Sequence, residues 1–133
     1  MKLKESLILL RKNKENSLFH RYINNDHIES LLHNLGHSFN VNQIGNSVNN
    51  EPIFAITVGN GSKKILMWSQ MHGNESTTTK ALFDIFNILS YKNEFSKAII
   101  EQCTLTIIPI LNPDGARLYS RLNANKIDLN RDA

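Results

Sequence analysis

Apolar residues follow two different periods along this chain of 133 residues. Between residues 28 and 35 they recur at three- and four-residue spacing, which predicts an amphipathic helix that ends near Gly36. Residues 39–45 instead alternate between apolar and polar, and IFAITVG is strand-like up to Gly59. We therefore predict a helical segment over residues 1–38 and a change to strands at residue 39.

The next stretch predicts a strand, a helix and a second strand. KKILMWSQ, residues 63–70, is a short apolar run, the pattern of a strand buried on both faces. Apolar residues recur at helical spacing from Ser76 to Leu89, and CTLTIIPIL, residues 103–111, is a second buried run. Such a βαβ unit predicts two parallel strands in one sheet. Residues 39–59 have a turn-rich connection and no helix, so they predict an antiparallel hairpin at the sheet edge.

The predicted fold class is therefore α/β, with a mixed, mostly parallel sheet flanked by helices. Regular patterning ends after Leu111, and the polar stretch that follows runs to Ala133 without a closing helix or strand. We expect residues 39–133 to be the first part of a larger domain that is truncated here.

Composition and charge exclude several classes of protein. The chain is 41% hydrophobic and 20% charged with a formal net charge of +3, and it lacks the dense basic stripe of a nucleic-acid-binding protein. The single cysteine, Cys103, excludes an intrachain disulfide framework. The apolar run from Leu7 to Leu10 is too short for a signal peptide or a membrane span. We expect a cytoplasmic protein with neither nucleic acid nor membrane as a partner.

Candidate chemistry first appears in the sequence HGNE, which contains His72 and Glu75. Ligands of open α/β sheets bind beyond the carboxyl ends of the strands, and HGNE directly follows a predicted strand. Gly73 lets the backbone turn sharply there, and imidazole with carboxylate suits Zn²⁺. The alternative is that Glu75 only favours a helix N-terminus and that His72 is a polar turn residue.

A second stretch follows the next predicted strand and is expected at the same sheet edge. It contains NPDG at residues 112–115, Arg121, and DLNR at residues 128–131. HGNE, NPDG, an arginine and DLNR, in this order, resemble the zinc carboxypeptidase family over roughly residues 39–133. Residues 1–38 carry no signature of that family.

This resemblance implies one Zn²⁺ per site, with His72 and Glu75 as two of its ligands. It implies that Arg121 polarises the scissile carbonyl and stabilises the oxyanion. Asn130 and Arg131 match the pair that holds the terminal carboxylate of a peptide substrate, and a guanidinium fork suits a carboxylate well. The implied function is a metallocarboxypeptidase that removes C-terminal residues from peptides.

Asp128 opens the DLNR motif, and the resemblance brings its loop beside HGNE. Histidines that bind zinc usually donate their other ring N–H to a carboxylate or carbonyl group. We therefore expect the Asp128 carboxylate at about 2.7–3.2 Å from a ring nitrogen of His72. The alternative is that Asp128 caps a turn or pairs with Arg131.

The chain also departs from the family pattern. Lys126 stands where the family often has glycine. The family's third zinc-binding histidine and its catalytic glutamate lie downstream of D-x-N-R, beyond Ala133, so this chain alone is expected to be inactive. Two other functions remain open: a zinc deacylase of the aspartoacylase or succinylglutamate desuccinylase type, and an inactive truncated fragment.

Overall fold

The computed structural model describes residues 3–91 and 93–131. The described residues form five helices and four strands. The helices are α1 (Leu3–Lys12), α2 (Asn25–His33), α3 (Thr77–Ser90), α4 (Glu94–Gln102) and α5 (Pro113–Leu118). The strands are β1 (Phe39–Asn46), β2 (Pro52–Val58), β3 (Lys63–Trp68) and β4 (Cys103–Ile108).

The four strands form one mixed sheet in the order β1-β2-β4-β3. Strands β1 and β2 form the predicted antiparallel hairpin at one edge, and β3 and β4 form the predicted parallel pair. The mixed sheet with flanking helices is therefore confirmed. Among the described strands, fewer neighbouring pairs are parallel than predicted. The reason is that β2, the inner strand of the hairpin, pairs antiparallel with β4.

The helices differ from the prediction in three places. Helix α3 is confirmed within one residue at each end, but α4 was not predicted because its polar residues hide a short apolar face. Helix α5 begins at NPDG, in the stretch after Leu111 for which no helix was predicted, since Asn112 Oδ1 accepts a hydrogen bond from the Gly115 N–H at 2.9 Å and Pro113 suits the first helical position. Within the predicted helical segment, residues 3–38 form two helices, α1 and α2, which are separated by an irregular segment.

The core lies between the sheet, α2 and α3. Phe86 is fully buried and contacts Phe39 and Phe83 edge to face, with ring centroids 5.8 and 5.2 Å apart. Ile28 of α2 is buried in the same cluster, together with Ile56 of β2. The predicted boundary at residue 38 thus separates elements that share one core, and it stays a prediction. None of the helices in residues 3–91 and 93–131 is long and apolar enough to span a membrane.

Strand β3 differs from its prediction in burial. We predicted a strand buried on both faces, but Ile65, Leu66 and Trp68 are 41%, 58% and 47% exposed. The reason is that β3 pairs with β4 alone among the described strands and therefore forms an edge of the sheet. A short apolar run does not reveal whether its strand has one neighbour or two.

A buried carboxylate joins the hairpin to α5. Asp114 is 2% exposed and accepts hydrogen bonds from the Ser47 hydroxyl at 2.7 Å and from the Asn49 N–H at 3.3 Å. The Ser47 hydroxyl oxygen in turn accepts from the Glu51 N–H at 3.0 Å. The turn between β1 and β2 is therefore fastened to the helix that begins with NPDG.

We predict that Asp114→Ala lowers the free energy of unfolding by about 1–3 kcal/mol, because it removes the buried acceptor of the hydrogen bonds from the Ser47 hydroxyl and the Asn49 N–H. Urea denaturation of the two proteins measures this loss. Ser47→Ala provides the partner variant, and the double variant should lose less than the sum of the two single losses. Strictly additive losses would show that Ser47 and Asp114 do not stabilise each other.

Candidate metal centre

Main-chain hydrogen bonds bring the two sequence motifs to one edge of the sheet. Beyond the ends of β3 and β4, the Leu111 N–H donates to Ser69 O at 2.9 Å and the Asn112 N–H to Gln70 O at 3.0 Å. The Asn112 side chain also donates to Met71 O at 3.2 Å. The sequence did not predict that Asn112 joins the two motifs. An asparagine before a proline is, however, a typical helix start.

The glycine of HGNE is required by a close backbone contact rather than by an unusual φ angle. A Cβ atom on Gly73 would lie 1.9 Å from the carbonyl carbon of Gly115 and 2.1 Å from the nitrogen of Ala116. Real Cβ contacts are never this short, so a side chain at position 73 would push the turn away from α5. The Glu75 N–H donates to His72 O at 3.0 Å and closes the turn.

The imidazole of His72 contacts a carboxylate on each side. Its Nδ1 atom is 3.1 Å from Glu75 Oε1, and its Nε2 atom is 3.0 Å from Asp128 Oδ1, within the range expected from the sequence. The side chain of Asp128 is only 17% exposed, whereas that of Glu75 is 62% exposed. A neutral imidazole that donates Nε2–H to Asp128 keeps a lone pair on Nδ1, beside Glu75, for a metal ion.

The donor atoms of His72 and Glu75 fit one zinc ion. Two donors of a tetrahedral zinc ion, each at about 2.0–2.2 Å, lie about 3.3–3.6 Å apart. The observed separation of Nδ1 and Oε1 is 3.1 Å, so a small side-chain movement suffices. No group of three or more histidine, cysteine, aspartate or glutamate side chains within residues 3–91 and 93–131 is arranged to hold a metal ion. The described residues therefore offer two candidate ligands at this place, His72 and Glu75.

Arg121 lies beside the same group of side chains. Its Nε–H donates to Asp128 Oδ2 at 2.9 Å, and its Nη1 atom is 3.6 Å from Glu75 Oε1. Burial raises the pKa of Asp128, but hydrogen bonds from Arg121, from the Asn130 N–H and from His72 outweigh it and hold that pKa below its usual value. Asp128 is thus an ionised acceptor between a histidine and an arginine at neutral pH.

The loop that carries DLNR is organised by its own backbone. The Asn130 N–H donates to Asp128 Oδ1 at 3.0 Å, and the Arg131 N–H donates to Asp128 O at 2.9 Å. The side chains of Asn130 and Arg131 are exposed and make no hydrogen bond or ion pair to any residue that the structure describes. Lys126, at the position where glycine was expected, has a φ of +62°, so the left-handed turn is kept without glycine.

Arg117, the other arginine near this loop, has a different environment. Its Nη2 atom is 2.9 Å from Asp26 Oδ1, and its Nε atom is 2.7 Å from Glu51 Oε1. Hydrogen bonds to these two carboxylates raise the pKa of Arg117. It connects α2 and the hairpin to α5 and does not contact His72, Glu75 or Asp128.

Comparison with known proteins gives one family. The family model described as zinc carboxypeptidase matches residues 24–132. A γ-D-glutamyl-L-diamino acid endopeptidase of Lysinibacillus sphaericus is 37% identical over 83 residues, which are 56% of this chain and 21% of that protein. Carboxypeptidase SOL1 of Arabidopsis thaliana is 35% identical over 98 residues, 67% of this chain and 20% of that protein.

Solved structures share the fold. A metallo-carboxypeptidase from Burkholderia cenocepacia matches with a TM-score of 0.68 and 22% identity, over 79% of this chain and 30% of the other. Carboxypeptidase A from Helicoverpa armigera matches with a TM-score of 0.62 and 20% identity, over 92% of this chain and 36% of the other. The chain thus spans about a fifth of the length of its curated relatives and about a third of these solved structures.

We predict that Gly73→Ala destabilises the chain by about 1–3 kcal/mol, because the added methyl group overlaps the backbone of α5. Urea denaturation measures the loss, and the NMR signals of the His72 ring should move in the same variant. Gly36→Ala is the matched control, since a Cβ there meets no atom within 4 Å. Equal stability of the Gly73 and Gly36 variants would contradict the close contact.

Proposed function

This chain belongs to the zinc carboxypeptidase family, and we propose that it supplies part of the active site of a metallopeptidase that removes C-terminal residues from peptides. The observation that carries this proposal is the contact of His72 with both Glu75 and Asp128. It combines two zinc-type donors with the carboxylate that fixes the histidine tautomer. Nothing in a solvated surface turn requires that combination.

In the proposed site, His72 Nδ1 and one oxygen of Glu75 hold zinc. A zinc ion bound there would activate a water molecule and polarise the carbonyl group to be attacked. Asp128 keeps the proton of His72 on Nε2 and so keeps Nδ1 available as a ligand. The third ligand and the general base are not assigned to any residue of this chain.

Arg121 is proposed to stabilise the negative charge that develops on the scissile carbonyl oxygen. Its contacts with Asp128 and Glu75 hold the guanidinium group next to the two zinc donors. A guanidinium group has five N–H donors, so contacts through Nε and Nη1 leave others for a substrate. A preorganised donor of this kind acts mainly in the transition state.

Asn130 and Arg131 are proposed to bind the terminal carboxylate of the substrate. Their side chains are exposed, while Asp128 holds their backbone through two hydrogen bonds. Arg131 therefore presents a charged fork on a fixed loop, which suits a carboxylate, and Asn130 adds an amide.

A second candidate substrate comes from the endopeptidase of Lysinibacillus sphaericus, whose name gives the bond between γ-D-glutamate and an L-diamino acid. Its 37% identity over 83 residues favours this candidate. The zinc deacylase is less well supported, because the family match extends over NPDG and Arg121.

We predict that the 133-residue chain binds an N-acetylated dipeptide with a free C-terminal carboxylate more tightly than the matching C-terminal amide. Arg131→Ala should weaken binding of the free acid by about 10-fold to 150-fold, the loss of one charge-assisted hydrogen-bonded pair. NMR titration of the chain with each peptide measures these affinities. A γ-D-glutamyl-L-lysine peptide in the same series tests the second candidate.

Arg117→Ala is the control, because that arginine is paired with Asp26 and Glu51 and does not contact the site. It should leave the preference for the free acid unchanged. Equal affinity for acid and amide in the unmodified chain, or an equal loss in both arginine variants, would overturn the assignment of Arg131. Tighter binding of the γ-D-glutamyl peptide than of the dipeptide would favour the second candidate.

A further inference from the structure

Gln70 is a buried polar residue with a strained backbone, and it lies two residues before the HGNE turn. It is 3% exposed, and its φ of +44° lies in the left-handed region that favours glycine. Such a conformation persists in a residue with a long side chain only when the surroundings hold it there. Neither the sequence motifs nor the proposed chemistry accounts for a glutamine at this position.

The side-chain amide of Gln70 uses both of its functional ends. Its Nε2 group donates to Gly73 O at 2.8 Å and to Ile23 O at 2.9 Å. Its Oε1 atom accepts from the hydroxyl of Thr79 at 2.6 Å, and Thr79 is fully buried in α3. One side chain thus joins three segments: the HGNE turn, the first turn of α3, and the irregular segment before α2.

The contact with Gly73 is the one that matters for the metal site. Gly73 lies between His72 and Glu75, and the turn is otherwise closed by the Glu75 N–H donating to His72 O at 3.0 Å. Holding the carbonyl group of Gly73 fixes the peptide plane between the two zinc donors. The side chains of His72 and Glu75, whose Nδ1 and Oε1 atoms are 3.1 Å apart, leave the backbone on the two sides of that plane.

The segment before α2 is held to the same turn by a second hydrogen bond. The hydroxyl of Ser76 donates to Arg21 O at 2.8 Å, two residues before the Ile23 carbonyl that accepts from Gln70. Gln70 and Ser76 flank the HGNE turn on its two sides. Residues 21–23 are therefore held against the turn by two hydrogen bonds.

We propose that Gln70 is a positioning residue for zinc binding: its amide locks the HGNE turn against residues 21–23 and α3 so that His72 and Glu75 converge. This inference rests on the proposed function, because it concerns the same zinc site. It also predicts a property of the zinc-free chain, namely that the turn is held by Gln70 before any metal binds.

Gln70→Met tests the amide with little change in length, and Gln70→Gly removes the side chain while relieving the strained φ. Zinc titration of the 133-residue chain, followed through the ring signals of His72, gives the affinity of each variant. Both variants should bind zinc about 10-fold to 100-fold more weakly, as for other groups that orient metal ligands. Unweakened binding by Gln70→Gly would show that the amide is dispensable and would overturn the proposal.

Ser96→Ala is the control for general destabilisation. Ser96 is 1% exposed, and its hydroxyl donates to Ile88 O, so the variant also removes a buried hydrogen bond. Ile88 lies near the opposite end of α3 from the turn, and Ser96→Ala should therefore bind zinc like the unmodified chain. Equal weakening by Ser96→Ala would show that loss of zinc affinity reports stability alone, and it would overturn the proposal.

Hydrogen exchange separates this inference from the zinc assignment. In the zinc-free chain, Gln70→Met should lower protection of the Glu75 amide more than protection of amides in β4, whereas Ser96→Ala should not. Equal loss of protection at Glu75 and in β4 would contradict a local role for Gln70. Failure of the unmodified chain to bind zinc, with the exchange result as expected, would contradict the proposed function and leave the turn-locking role of Gln70 standing.

Discussion

The close backbone contact between Gly73 and the first turn of α5 is the constraint on which the site depends. A Cβ at position 73 would lie 1.9 Å from the carbonyl carbon of Gly115, so the two segments meet with no side chain between them. This contact brings the turn after β3 and the helix after β4 to one edge of the sheet. His72 then reaches Asp128, which is 56 residues further along the chain.

Asp128 lies near that contact and forms hydrogen bonds with several polar groups of the site. Its carboxylate accepts from His72, from Arg121 and from the Asn130 N–H, and these hydrogen bonds hold its pKa below the usual value despite burial. Glu75 is exposed and lies beside the Nδ1 atom of His72. The chain thus brings the imidazole of His72 together with two carboxylates and the guanidinium group of Arg121, and it belongs to the zinc carboxypeptidase family.

Periodicity and turn residues predicted the strands and α3, because each has a clear apolar pattern. They did not predict α4, whose apolar face is short, or the exposure of β3, because a run of apolar residues does not show whether a strand has two neighbours. The contact between His72 and Asp128 was predicted only through the family resemblance. Gly73 and Gln70 contact segments that are distant in sequence, and no local pattern reveals such contacts.

In the proposed site, His72 binds zinc through Nδ1 while Nε2 donates its proton to Asp128. Nitrogen-15 NMR of the His72 ring during a zinc titration of the 133-residue chain tests it most directly. We expect that zinc shifts the Nδ1 signal and that Nε2 keeps the signal of a protonated nitrogen throughout. Zinc bound at Nε2, or a ring whose signals do not respond to zinc, would contradict it.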